Sequence, residues 1–215
     1  MLLRKLLLIL VLGFGAAAPC GADSLFQQVS FLSQEKVGVD EVKAQFYVKA
    51  DPATAWAVLS DYEHIPQFVH TMKKSHIDEV KDGNIYLTQE AEAGFLFITK
   101  RVHVLLKVHE VPGKSISFED VSQKDFCFYQ GSWAIEPAPQ GGVSVVYQLE
   151  AKKNFDAPFA GDYMNGGVKD LLTAVQQEIY LRQVQAQKEK ASSVTTVQNT
   201  VNPTSTPSAA RPAVN

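Results

Sequence analysis

Cysteine is nearly missing from this chain: two in 215 residues, Cys20 and Cys127. If the segment carrying Cys20 is removed, one thiol remains, which excludes an internal disulfide. Charge of one sign is missing too. Twenty basic side chains face 23 acidic ones, a formal net charge of −3. Such a balance offers no electrostatic attraction to DNA or RNA, so no nucleic-acid partner is expected. Glycine-rich phosphate loops are absent, because "PQGGVS" falls in a hairpin and "NGGVK" lacks the Walker pattern. A nucleophile elbow is absent as well. The histidines are His64, His70, His76, His103 and His109, and none has zinc-ligand spacing with Cys, Asp or Glu. His103 and His109 sit six residues apart on one strand pattern, roughly 20 Å at about 3.3 Å per residue, too far to share an ion. No metal and no cofactor is expected.

Long apolar runs are also scarce. The one at the N-terminus, Leu6 to about Phe14, follows Arg4 and Lys5 and precedes small residues. It is shorter than the about 20 residues that span a bilayer. This is the three-part pattern of a secretory signal peptide over residues 1–22. Cleavage after Ala22 ("CGA", then Asp23) avoids the Pro19 that would follow a cut at Ala18. Pro19 also argues against a lipoprotein acylated at Cys20. The expected location is therefore the periplasm of a bacterial envelope or the exterior. Removal of residues 1–22 leaves 18 basic against 23 acidic side chains, net −5. At the other end, residues 191–215 hold nine Ser or Thr, three Pro and one charged residue. That composition buries too little apolar surface to offset its ordering entropy and is read as a disordered tail.

Between a lead segment, 23–35, and that tail lies one folded domain, 36–190. "EVKAQFYVKA" alternates Val42, Ala44, Phe46 and Val48 with polar partners, the mark of a half-buried strand. Two short helices follow, with Asp51 as the N-cap, Pro52 at the first helical position and Trp56 inside. "SHIDEV" and "NIYLTQEAEA" flank Asp82-Gly83, a hairpin signal. "KRVHVLLKVHEV", "SISFEDV", "DFCFYQGSWAIEP" and "GVSVVYQLEAKK" read as further strands. Met164, Val168, Leu171, Leu172, Val175 and Ile179 form a stripe at helical spacing, and predict a helix from about Tyr163 to Lys190. The fold class is thus α+β: a curved antiparallel sheet of six or seven strands, two short helices and a long C-terminal helix. One helix cannot cover a broad sheet at core density. The short pair therefore plugs one end, and a cavity remains between sheet and helix.

"VKADPATAWAVLSDYEHIPQFVHTMKKSHI" (48–77), "DFCFYQGSWAIEP" (125–137), "VSVVYQLEAKKNFDAPF" (143–159) and the final helix carry a family resemblance. In order and spacing the chain resembles the START-like, or SRPBCC, superfamily. It is most similar to the bacterial branch labelled polyketide cyclase/dehydrase, which also contains coenzyme-Q-binding proteins. The resemblance covers about 150 residues, and implies a helix-grip fold around a pocket for a hydrophobic small molecule. That superfamily spans lipid-transfer proteins, hormone receptors, cyclases and quinone-binding chaperones, so the fold alone does not choose a function.

Candidate ligand-binding residues follow from the strand and helix phases. Gln89 shares a face with Ile85 and Leu87, Tyr129 with Trp133, and Tyr147 with Val145 and Leu149. These three are the expected inward polar groups. Trp56, Phe68, Trp133, Phe159, Met164 and Val168 supply apolar bulk at the plug, the sheet and the long helix. Cys127, set among large apolar neighbours, is expected to be buried and inert. The segment "NFDAPFAGDYMNGG" (154–167) is expected to be a mobile gate, and the part that meets a membrane transiently. Two readings stand: a carrier of a lipid, quinone or similar molecule, or a cyclase/dehydrase that polarises a carbonyl by general acid–base chemistry. The leader reading has a direct test. Intact-mass measurement of protein recovered from the cell envelope should show a chain beginning at Asp23; a chain that still begins at Met1 would refute it.

Overall fold

The computed structural model describes residues 29–36, 38–95, 98–154 and 160–200. The leader, 1–22, lies outside them. Eight strands form a single sheet in the order β1-β2-β8-β7-β6-β5-β4-β3, every neighbour antiparallel. They are β1 Ser30–Lys36, β2 Val39–Val48, β3 Met72–Lys81, β4 Asn84–Phe95, β5 Ile98–Val111, β6 Ser115–Asp120, β7 Phe126–Pro137 and β8 Val143–Lys153. The helices are α1 Pro52–Leu59, α2 Ile65–Phe68 and α3 Ala160–Thr200, with a 3-10 turn at Tyr62–His64 between the first two.

This order explains the two short helices. Strand β2 lies next to one edge of the sheet and β3 forms the other edge. The chain must cross the open end of the sheet between them, and α1, the turn and α2 are that crossing. Asp82 and Gly83 both take positive φ and close the β3–β4 hairpin with Lys81 opposite Asn84, as a two-residue turn requires. From there the chain meanders back until β8 pairs with β2.

The alternation along β2 is realised as expected. Val42, Ala44, Phe46 and Val48 are all buried, and they meet Val143, Val145, Tyr147 and Leu149 of β8 on the same face. Val168, Leu172, Val175 and Ile179 of α3 close this core from the other side. Polar side chains then fix the helix in register. Gln183, buried, accepts hydrogen bonds from the Asp51 backbone N–H and the Thr54 hydroxyl, both at 2.9 Å. Gln176 donates to the Tyr47 carbonyl at 2.8 Å. Arg182 pairs with Asp61 at 2.8 Å and with Glu178 at 2.7 Å.

Several expectations are corrected. The sheet has eight strands because Ser30–Lys36, read as a lead segment, pairs along its length with β2. Its polar residues hid it, as befits an edge strand with one neighbour. Helix α3 starts at Ala160, so 160–167 is helical rather than part of a loop, and residues 155–159 lie outside the described residues. Its far end runs to Thr200, ten residues past the expected stop, so 191–200 is not tail. No Gly or Pro interrupts that stretch. Ser192 and Ser193 return their hydroxyls to the Lys188 and Lys190 carbonyls, which spares them competing with the helix. Residues 201–215 lie outside the described residues.

Asp51 occupies the N-cap position of α1 yet makes no capping bond; its carboxylate accepts from Gln183 at 3.3 Å instead. Cys127 is exposed, not buried. A bulge in β7 sets both Phe126 and Phe128 against consecutive residues of β8, which leaves Cys127 as the extra residue. Phe126 takes the buried place.

Gln183→Ala removes the amide that satisfies the first turn of α1. Urea denaturation should show a loss of about 1 kcal/mol, because a backbone N–H and a hydroxyl lose their partner in a half-buried site. Gln185→Ala, which loses a bond to Glu189 on the exposed face, should stay within about 0.5 kcal/mol.

Candidate functional site

A cavity of about 90 Å³ lies between the sheet, the plug and α3. Leu87, Gln89, Leu106, Val108 and Ile116 form its floor on β4, β5 and β6. One wall is aromatic and comes from β6, β7 and β8. Trp133 packs on Tyr147 with ring centres 4.4 Å apart, Phe118 lies 6.4 Å from Tyr147 and 5.8 Å from Tyr129, and Phe126 backs Tyr129 at 4.9 Å. The opposite wall is mainly aliphatic, with Val58, Leu59 and Ile65 of the plug and the Phe68 ring beside Leu171 and Val175 of α3.

Glycine makes the aromatic wall possible. Gly131 of β7 is paired with Phe118 of β6, and a Cβ there would sit 2.6 Å from the Phe118 ring and 2.4 Å from the Gln148 carbonyl. Any side chain at 131 would push the ring inward and shrink the cavity.

The polar side chains on the wall are Tyr62, Gln89, Tyr129 and Tyr147, together with Trp133, whose indole carries an N–H donor. Tyr62 donates its hydroxyl to Glu110 Oε1 at 2.6 Å, and Gln89 Nε2 donates to the Ser75 hydroxyl at 3.1 Å. Tyr129 and Tyr147 stand on either side of the Phe118 ring on the same wall. Burial is the main cause that pushes all three phenols above their ordinary range. The Glu110 carboxylate adds to it at Tyr62, the Tyr129 hydroxyl adds to it at Tyr147, and the charge of Asp120 adds to it at Tyr129. Asp120 is itself buried and held by the backbone N–H groups of Leu105, Ser122 and Gln123. Among the described residues, no Lys, Arg or His lines the cavity. Among the described residues, no three His, Cys, Asp or Glu side chains converge as metal ligands do.

The candidate residues divide into three groups. Phe68, Gln89, Tyr129, Trp133 and Tyr147 line the cavity together. Trp56 and Val168 pack in or against the surrounding core without reaching the cavity surface. Phe159 lies outside the described residues, as does the Met164 side chain. Sequence reading missed Tyr62, Met72, Phe118 and Leu171 as lining residues. Phe118 was legible from strand phase, since Ile116, Phe118 and Asp120 share one face of β6. Tyr62 was not, because a three-residue 3-10 turn has no apolar period to read.

A coiled antiparallel sheet gripping one long helix over an internal cavity is the START-like, or SRPBCC, helix-grip architecture. Residues 40–179 match the family described as polyketide cyclase / dehydrase and lipid transport, and the chain belongs to that family. Solved structures agree on the fold. A protein from Thermus thermophilus shares 19% identity, with 66% of this chain and 98% of that one covered and a TM-score of 0.56. The Zhui aromatase/cyclase of Streptomyces sp. R1128 shares 15% over 67% and 95%, with a TM-score of 0.55. A STAR-related lipid transfer protein from Xanthomonas axonopodis shares 16% over 71% and 99%, with a TM-score of 0.51. No curated protein matches the sequence.

The raised phenols have a measurable consequence. The folded chain keeps protons on Tyr62, Tyr129 and Tyr147 at a pH where the unfolded chain releases them. Their contribution to stability is therefore complete below pH ~10 and falls as pH rises above it. A pH series of urea melts should show stability dropping above that value, and Tyr129→Phe should flatten the slope. A slope unaltered by this substitution would refute the assignment.

Proposed function

We propose that this protein reversibly binds, and carries, a hydrophobic small molecule such as a lipid or quinone in the cavity between sheet and α3. The observation that carries this reading is the cavity itself, lined by apolar and aromatic side chains in a chain of a lipid-transport and cyclase family. Ligand pockets of drug-sized molecules run to roughly 300–1,000 Å³, well above the about 90 Å³ here. A ligand of that size enters by displacing half-buried lining side chains such as Phe68, Met72 and Leu171. The exchange is favourable: burying an eight-carbon stretch contributes roughly 6 kcal/mol at about 0.8 per methylene, before ordering costs. The proposed setting is the periplasm or the exterior, supported by the leader pattern in residues 1–22. Delivery there would bring residues 154–167 against a bilayer.

A second reading is a cyclase or dehydrase. The observation in its favour is that Gln89, Tyr129 and Tyr147 share one cavity, where hydrogen-bond donors can polarise a carbonyl while the walls hold a flexible substrate in one conformation.

Native mass spectrometry on protein taken gently from the envelope, with an organic extract run beside it, separates these readings. The carrier reading expects a stoichiometric apolar adduct that is lost in Trp133→Ala and in Phe159→Ala. Protein without adduct, and without saturable binding to any apolar ligand, would sink it. The cyclase reading expects Gln89→Ala to lower turnover about 100-fold or more with ligand affinity little changed.

A further inference from the structure

The outer face of the sheet carries a second hollow. It measures about 450 Å³, against about 90 Å³ for the internal cavity, and lies across β4 to β8. Register explains its shape. His109, Ser117, Ser132 and Gln148 are successive cross-strand partners on β5, β6, β7 and β8. They alternate with Val108, Ile116, Trp133 and Tyr147, which pack in or against the core, so the row points outward. At about 4.8 Å between strands the row is roughly 14 Å long. Its two middle side chains are the shortest, which makes it a trough with a serine floor, an imidazole at one end and a carboxamide at the other.

A parallel row borders the trough. Lys107, Glu119, Gln130 and Glu150 are partners in the same way, and they satisfy one another. Lys107 bonds Glu119 at 3.2 Å, and Gln130 donates to Glu150 at 3.0 Å. The trough row does not. Among the described residues, no protein group hydrogen-bonds the side chain of His109, Ser117, Ser132 or Gln148. Each of these four can both donate and accept.

The surroundings narrow the occupant. An anion would face Glu119 and Glu150 in a groove whose one cation, Lys107, is already paired. A peptide would need a free strand edge or an apolar anchor. Strands β4 to β8 are all interior to the sheet, and their outward side chains in the groove are polar. A neutral chain of hydroxyl groups does match, because each hydroxyl donates and accepts as each side chain of the row does.

We propose that this groove is a second binding site, which takes a short neutral oligosaccharide laid along the row. The site lies on the opposite face of the sheet from the cavity, so it stands or falls independently of the cavity reading. Among the described residues, no outward aromatic side chain lines the groove. With no ring for a sugar face to stack on, the expected affinity is weak, in the millimolar range.

The test is an amide NMR titration of the isotope-labelled whole protein with maltotriose, cellotriose, triacetylchitotriose and trigalacturonate. At least one neutral sugar should shift amides of 107–119 and 130–150 saturably. Gln148→Ala should weaken that binding about fivefold, the worth of one hydrogen bond. Ser132→Ile fills the floor with a residue suited to a strand, and should weaken it at least about tenfold. Gln45→Ala, on the same face but outside the groove, should leave it unchanged. If Ser132→Ile fails to fold by circular dichroism, Gln148→Ala decides the matter alone. Trigalacturonate binding as tightly as the neutral sugars overturns the selection for neutral ligands. A sugar bound equally by the wild type and by the folded groove variants sits elsewhere and overturns the site. So does the absence of any saturable shift with the three neutral sugars.

Discussion

One helix has to cover a sheet too wide for it, and the rest of the molecule is a response to that mismatch. Eight strands at about 4.8 Å span roughly 38 Å, whereas a helix with its side chains is about 10–12 Å across. The sheet coils around α3, and the buried stripe Val168, Leu172, Val175 and Ile179 anchors on β2 and β8. What the helix leaves open at one end, the β2–β3 crossing fills with α1 and α2. What neither reaches remains as the cavity.

The helix is held by polar bonds at its flank and apolar packing at its centre. Gln176 reaches the sheet, and Arg182 and Gln183, about two turns further on, reach the plug. These bonds set where α3 lies along the sheet, so they also set where Leu171 and Val175 face the cavity. The cavity is thus shaped at a distance by groups that do not touch it. Its chemistry, by contrast, comes from one side. The wall built by β6, β7 and β8 carries the aromatic rings and the tyrosine pair, and Gly131 leaves room for Phe118 to lie flat within it. Most of the rings therefore stand on one wall and most of the aliphatic carbon on the other.

Much of this was legible along the chain because period carries physical meaning. Alternation in β2 and β8 marks the inner face residue by residue, and Phe46, Tyr147 and Leu149 are buried on it. The three-and-four spacing of α3 marked its buried stripe, and Asp82-Gly83 marked its hairpin. Failures came where period is broken or uninformative. The bulge at Phe126 slips the phase of β7 by one and turns Cys127 outward. The edge strand β1 needs no clean alternation, since its outer neighbour is solvent. The end of α3 was placed early because Ser and Thr favour loops on average, but nothing before Pro203 forbids the helix sterically.

The sequence by itself determined the elements, their faces and the mismatch between one helix and a broad sheet, because those follow from local period and chain order. Only the tertiary structure decided which inward residues meet at a surface rather than inside solid packing. Trp56 and Tyr62 sit six residues apart and both face inward, yet one packs against the core while the other lines the cavity with its proton given to Glu110. Likewise Trp133 and Tyr147, 14 positions apart, are set ring against ring by the β7–β8 pairing. A void and a ring contact beside it are properties of distances between strands, and no periodicity along one strand encodes them.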